Sequence, residues 1–243
     1  MPFKTTSNYS PNFNSQKRLK KQVRFIILHY TGMKSEKEAI IRLTNIQSQV
    51  ASHYLITRSG KIINLVPDLY IAWHAGVSLW KNLNSLNKNS IGIEITNPGH
   101  QFGYKKFSKK QINSLINLSK FLINKYKINK RNILGHSDIA PDRKKDPGEK
   151  FPWEYLAKKN IGIWHNLDKK KLRKLRKKKC NEIMKNLFLN NLFSIGYAKK
   201  GKNNVKNDRY LAFVIKGFQR RFRPELINGK IDQECLLISQ NLT

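Results

Sequence analysis

Residues 133–148 read I-L-G-H-S-D-I-A-P-D-R-K-K-D-P-G. The apolar Ile133-Leu134 pair leads in as a buried strand does, and Pro141, Pro147 and Gly148 bar regular structure after it. His136 and Asp146 are therefore expected on a strand end and the loop that follows. Such a loop can fold an imidazole and a carboxylate back onto one point. Imidazole nitrogen and carboxylate oxygen are both zinc ligands, and a hydrolytic zinc site takes three protein ligands and keeps one position open. Two candidates lie in this stretch, so a third must come from elsewhere.

The candidate is His29, at the end of the apolar run in V-R-F-I-I-L-H-Y-T-G, residues 23–32. This is a second short buried strand delivering a His to its carboxyl end, the edge at which open α/β sheets build sites. A lone His there is commonly a satisfied structural residue, and only the company of His136 and Asp146 changes that reading. In I-G-I-E-I, residues 91–95, alternation puts Ile91, Ile93 and Ile95 on one face and Gly92 and Glu94 on the other. Glu94, with a glycine beside it leaving room, suits a general base near a metal; an ordinary exposed strand residue would give the same pattern. Lys144 is either one more surface lysine or an ammonium placed to stabilise an oxyanion.

Around these residues the pattern predicts an α/β fold. Strands are expected over 23–28, 54–57, 61–66, 91–96 and 132–135, with Ser59-Gly60 turning a hairpin between the second and third. Helices are expected over 36–49 and 108–126. After residue 180, Met184, Phe188, Leu192 and Ile195 recur at helical spacing before Gly196, and Leu211, Val214 or Ile215, Phe218 and Phe222 repeat the pattern until Pro224. Asp232 is placed to cap a third helix, with Ile231 and Leu236 as its hydrophobic staple. The expectation is a mixed central sheet flanked by helices, followed by a small three-helix module.

The segments I-L-H-Y-T-G, A-S-H-Y-L-I (residues 51–56), A-W-H-A-G-V-S (72–78), S-I-G-I-E-I (90–95) and the opening stretch occur in the order found in zinc N-acetylmuramoyl-L-alanine amidases of the AmpD and AmiD type, which this chain resembles over residues 23–164. The resemblance implies an amidase and peptidoglycan-recognition-protein-like fold that hydrolyses the amide between N-acetylmuramic (or 1,6-anhydro-N-acetylmuramic) acid and L-alanine. It implies one zinc ion per chain held by His29, His136 and Asp146, with Glu94 as catalytic acid/base and Lys144 assisting at the oxyanion. His53, Trp73 and His74 resemble positions in or beside the substrate cleft; a structural hydrogen-bonding role is the competing reading for the two histidines. F-Q-R-R-F-R-P (218–224) with N-G-K-I-D (228–232) resembles the peptidoglycan-binding-like tail of AmiD-type enzymes. The expected division is an amino-terminal arm (1–22), a zinc amidase catalytic domain (23–165), a basic linker (166–180) and a helical peptidoglycan-binding-like domain (181–243). The alternative is a non-catalytic peptidoglycan- or muropeptide-binding protein of the same fold.

Composition bounds this reading. The 243 residues carry 48 Lys and Arg against 15 Asp and Glu, a net charge of +33. The excess is spread over the chain, 28 basic to 9 acidic in residues 1–165 and 20 to 6 in 166–243. A nucleic-acid interface would concentrate it on one face, so no specific nucleic acid is expected; the partners that the resemblance implies are peptidoglycan fragments or muropeptides. The run K-K-K-L-R-K-L-R-K-K-K (169–179) has two apolar residues, too few for membrane insertion; it reads as a solvated linker or as a contact to acidic lipid headgroups, wall-peptide carboxylates or nucleic acid. No apolar run approaches the ~20 residues of a membrane span, and residues 1–22 hold neither a lipid-acceptor Cys nor a signal-length apolar stretch. A cytoplasmic location is expected, with the cell envelope or periplasm as the alternative that the resemblance suggests. Cys180 and Cys235 lack metal-site spacing, and a monomer is expected.

Overall fold

The computed structural model describes residues 4–197 and 208–243; residues 1–3 of the expected arm and 198–207 of the expected tail lie outside them. The chain runs through β1 (Thr5–Ser7), β2 (Phe13–Asn14), β3 (Phe25–Tyr30), α1 (Glu36–Thr44), β4 (Tyr54–Ile56), β5 (Ile62–Asn64), β6 (Ile71–Ala72), β7 (Leu79–Trp80), β8 (Leu83–Asn84), β9 (Ser90–Ile95), α2 (Lys109–Tyr126) and β10 (Ile133–Gly135). It continues with α3 (His136–Ile139), α4 (Trp153–Ala157), α5 (Lys169–Leu175), α6 (Glu182–Ile195), α7 (Asp208–Phe222) and α8 (Gln233–Leu242).

Six strands form one mixed sheet in the order β1-β5-β4-β9-β3-β10. Strands β4, β9, β3 and β10 are parallel neighbours, β5 returns antiparallel to β4, and β1 lies parallel to β5. The return is the predicted hairpin: Thr57 N–H donates to Lys61 O at 2.9 Å, and Gly60 takes φ +87°, a value that favours glycine.

Alternation along the strands decides which side each residue meets. Ile26 and Leu28 of β3, Ile91, Ile93 and Ile95 of β9 and Ile133 of β10 pack with Ile112, Leu115 and Leu122 of α2. Helix α2 presents these residues because its start is fixed by Ser108, whose side chain accepts from Gln111 N–H while the Gln111 side chain reaches back to Ser108. Phe25 and Ile27 of β3 and Leu134 of β10 face the other way, into a cluster with Phe188 and Leu192 of α6, Phe218 of α7 and Ile238 of α8. The sheet thus carries helices on both faces, and the carboxyl-terminal helices form the second layer.

Several expectations shift. Val23 closes a single turn of 3-10 helix through its N–H to Lys20 O, so pairing starts at Phe25 and runs on through His29 to Tyr30. The helix predicted over 36–49 stops at Thr44, because Asn45 turns extended and its side chain caps a separate turn at Ile46–Ser48. His136 does not enter a loop directly. It opens the one-turn helix α3, closed by the Ala140 N–H bond to His136 O and by Asp138, which accepts from Gly135 N–H at 2.8 Å. Pro141 ends that turn. The short strands β1, β2, β6, β7 and β8 were not predicted.

In the tail, α6 ends at Gly196 with φ +131°, where a Cβ would stand 2.5 Å from the buried Trp80 ring. Asp232 caps α8 through Cys235 N–H, as predicted. The basic run forms α5, capped by Asp168, with Leu172 buried in the tail cluster; Arg176 grips Glu234 of α8 through two contacts of 2.7 Å. Cys180 and Cys235 are free and buried. Among the described residues no helix is long and apolar enough to cross a membrane.

Candidate metal centre and active site

Three adjacent strand ends build the site. Parallel pairing sets Gly135 level with Leu28, and His29 level with Glu94. His136, one residue past Gly135, therefore stands beside His29, with Glu94 on the far side. The loop after α3 folds back where Ser137 N–H donates to Asp146 O at 2.8 Å, and this carries the Asp146 carboxylate to the two imidazoles.

His29 Nδ1, His136 Nδ1 and Asp146 Oδ2 form a triangle with edges of 2.9, 3.0 and 3.0 Å. All three residues are buried, and the group could hold a metal ion. His136 Nε2 lies 3.1 Å from Ala75 O, a carbonyl that can only accept, so the neutral ring carries its proton there and aims the Nδ1 lone pair into the triangle. Burial foremost, and then the neighbouring His136, lowers His29 to about 4. Burial would raise Asp146, but His136 and His29 overcome it and hold the carboxyl well below the usual carboxylate range.

Glu94 is pushed up to about 8, chiefly by burial and then by Asp146, against the opposing pull of Lys144 and Arg42. Its Oε2 is enclosed and has no hydrogen-bond partner among the described residues. Glu94 and Lys144 line one cavity of about 370 Å³ with the three candidate ligands, and Trp73 and His74 lie on its wall. Trp73 is held there by its indole N–H, which donates to Asn14 Oδ1 at 2.5 Å.

His53 is elsewhere. It is fully buried, its Nδ1 accepts Gly92 N–H at 3.0 Å, its Nε2 meets Tyr70 O at 3.0 Å, and it does not line the cavity. The other residues around the cavity escaped the sequence reading. Arg143 donates to the carbonyls of Ala75 and Val77 and so ties the 72–78 segment to the Asp146 loop. Tyr30 Oη lies 2.9 Å from His100 Nδ1, and His100 Nε2 meets Glu149 Oε2 at 3.0 Å. No spacing rule marks these contacts, since each joins separate loops.

A sequence model of the family described as N-acetylmuramoyl-L-alanine amidase matches residues 19–149. The chain is 36% identical over 233 residues to N-acetylmuramoyl-L-alanine amidase AmiD of Escherichia coli (strain K12), covering 91% of this chain and 82% of the relative. It is 42% identical over 113 residues to 1,6-anhydro-N-acetylmuramyl-L-alanine amidase AmpD of Haemophilus influenzae, covering 46% of this chain and 59% of the relative. Among solved structures, AmiD from E. coli in complex with the substrate anhydro-N-acetylmuramic acid-L-Ala-D-gamma-Glu-L-Lys is similar with a TM-score of 0.78 at 35% identity, covering 91% of this chain and 88% of that one. AmpDh3 from Pseudomonas aeruginosa in complex with an anhydromuramic pentapeptide is similar with a TM-score of 0.78 at 32% identity, covering 95% of each chain.

Proposed function

The chain belongs to the N-acetylmuramoyl-L-alanine amidase family, and on that premise we propose that it hydrolyses the amide joining the lactyl carboxyl of N-acetylmuramic or 1,6-anhydro-N-acetylmuramic acid to L-alanine in peptidoglycan fragments. One zinc ion held by His29, His136 and Asp146 completes the site. The observation that carries this reading is the buried triangle of two imidazole nitrogens and one carboxylate oxygen, with the unpartnered Oε2 of Glu94 beside it. A tetrahedron with bonds of about 2.0–2.1 Å has edges of about 3.3 Å, close to the 2.9–3.0 Å observed between the donors. Two nitrogens and one oxygen are also the donor set of hydrolytic zinc.

Zinc bound there supplies Lewis acidity toward the amide carbonyl and lowers the pKa of water at the site toward ~7. The chain's own residues do the rest. Glu94 takes the proton of the attacking water at Oε2 and returns it to the departing L-alanyl amine. Burial lifts the Glu94 carboxyl in the metal-free site, so it can hold a proton as well as release one, and beside the charge of a bound dication it is lowered again so that it can accept from water, as an acid/base must. Lys144, on the cavity wall, shares the charge that develops on the carbonyl oxygen. Trp73 offers an aromatic wall to the sugar or the stem peptide. His53, with both nitrogens engaged, supports β9 from behind. Residues 23–165 carry the chemistry in this reading, while residues 181–243 cover the second face of the sheet.

The test is release of free L-alanyl peptide from purified anhydro-muropeptide and from N-acetylmuramoyl-peptide, read by mass spectrometry. Cleavage abolished by a chelator and restored by zinc is expected. Folded, zinc-loaded protein that binds both ligands and cuts neither would overturn the assignment in favour of a binding protein.

A further inference from the structure

We propose that Ser90 and His74 are positioning residues: a directed chain of hydrogen bonds from Leu86 O through Ser90 and His74 fixes the tautomer of His29 and turns its Nδ1 lone pair toward the metal.

The direction follows from counting protons. Ser90 Oγ lies 2.6 Å from Leu86 O, and a carbonyl oxygen only accepts, so the single hydroxyl proton of Ser90 is committed there. Ser90 Oγ also lies 3.2 Å from His74 Nε2, and with its own proton spent it can only accept, so His74 carries its proton on Nε2. His74 Nδ1 is then a lone pair. It stands 3.1 Å from His29 Nε2, which must supply the proton of that contact, and the lone pair of neutral His29 is left on Nδ1, at the corner of the triangle. No carboxylate touches His74, and it is buried, so the neutral ring is the form the site accommodates.

The segment that carries His74 serves the second imidazole as well. Ala75 O takes the Nε2 proton of His136 at 3.1 Å. The backbone N–H groups of His74 and Ala75 both donate to Asn87 Oδ1, at 3.1 and 2.7 Å, so one side chain holds both supports in place. Room for His74 comes from Gly92, where a Cβ would stand 2.4 Å from the His74 ring. Consecutive residues thus orient both imidazoles, one by its side chain and one by its carbonyl. Such outer partners are worth 10–100-fold in metal affinity where they have been removed from other metal sites.

The inference rests on the reading of His29 and His136 as metal ligands, and the experiment separates the two. Long-range proton–nitrogen NMR of the zinc-loaded full chain with ¹⁵N-labelled histidine should show His29, His74 and His136 all protonated on Nε2; a His74 ring with its proton on Nδ1 overturns the relay. Zinc affinity is then measured by competition with a chromophoric chelator. Ser90→Ala and His74→Leu should each weaken zinc 10–100-fold. His74→Asn, whose amide oxygen can stand in for Nδ1, should recover most of the loss. Wild-type affinity in both Ser90→Ala and His74→Leu, with loss in His29→Ala, overturns the relay and leaves the ligand assignment standing. Wild-type affinity in His29→Ala as well overturns both.

Discussion

Replacing Arg221 by Met should cost about 3–4 kcal/mol of folding stability and loosen the metal site, although Arg221 lies in the tail helix α7. Its Nη1 sits 2.6 Å from Asp138 Oδ2, with the two side chains 2% and 1% exposed. Asp138 also accepts Tyr197 O–H at 2.6 Å and Gly135 N–H at 2.8 Å. Methionine keeps an apolar stem against Trp153, over whose ring the guanidinium lies at 4.2 Å, but it leaves the carboxylate buried without its counter-charge. Breaking a buried pair in this way costs about 3–5 kcal/mol, and the two remaining donors put the expectation at the lower end. That is a large share of the ~5–15 kcal/mol that holds a typical domain folded. Urea unfolding at pH 7, followed by tryptophan fluorescence, measures it. Adding Asp138→Asn should recover at least half of the loss, because the stranded charge is removed. Zinc should bind several-fold more weakly to Arg221→Met, since the Asp138 bond to Gly135 shapes the turn immediately before His136. A loss below ~1 kcal/mol, or a double variant as damaged as the sum of the singles, would refute the reasoning.

Three further outcomes are expected. Glu94→Gln should keep the fold and the zinc while turnover falls about 10²–10⁴-fold; metal analysis beside the peptide-release assay checks it, and near-normal turnover removes Glu94 from its role. Burial lowers His29 to about 4 and His53 to about 3, against ~6.5 in the unfolded chain. The unfolded state therefore binds more protons at these histidines below that value, so their contribution to the stability of the zinc-free protein rises with pH up to ~6.5, by about 2 kcal/mol per histidine between pH 5 and 7, while Glu94, raised to about 8, works in the opposite direction over the same range. Urea titrations of the zinc-free Glu94→Gln variant at pH 5, 6 and 7, where the opposing carboxyl is gone, test this, and equal stability at all three would contradict it. The net charge of +33 is spread along the whole chain, and its self-repulsion is screened as the Debye length falls from ~30 Å at 0.01 M salt to ~8 Å at 0.15 M. Melting temperature should rise over that range, and a fall would show that screened ion pairs dominate instead.

The parts of this molecule legible in the sequence are those written in local periodicity. Alternation in residues 91–95 put the isoleucines on one side and Glu94 on the other, and the structure places Ile91, Ile93 and Ile95 in the α2-facing core. The capped start of α2, the Ser59-Gly60 turn and the glycine stop of α6 follow from single-residue chemistry in the same way. His29, His136 and Asp146 could be named as a set from their strand-end positions and the family resemblance, and they converge. What stayed hidden depends on partners far along the chain. Asp138 looks like one more loop acid until Arg221, 83 residues later, closes on it. Ser90 is an unremarked strand serine until His74 leans on it. The edge strand β1 is only three residues long and exists because β5 offers it an open edge, which no pattern within Thr5–Ser7 announces. Asp138 and Asn87 fix backbone turns by side-chain hydrogen bonds, a chemistry that leaves no hydrophobic period to read.

Strand β9 presents Ser90, Gly92 and Glu94 on one side and Ile91, Ile93 and Ile95 on the other. Each of the three residues facing the site acts differently: one anchors a proton, one leaves a gap, one carries a carboxylate. A single residue inserted between Ser90 and Glu94 would turn one end of the set over to the isoleucine side while leaving the other in place. Composition would barely change, yet the hydroxyl and the carboxylate could no longer serve the same centre. Tolerance to insertion and deletion should therefore be lopsided across the protein, with length changes accepted in the outer turns and refused in this strand unless they come in pairs. β9 is a ruler graduated in steps of two residues.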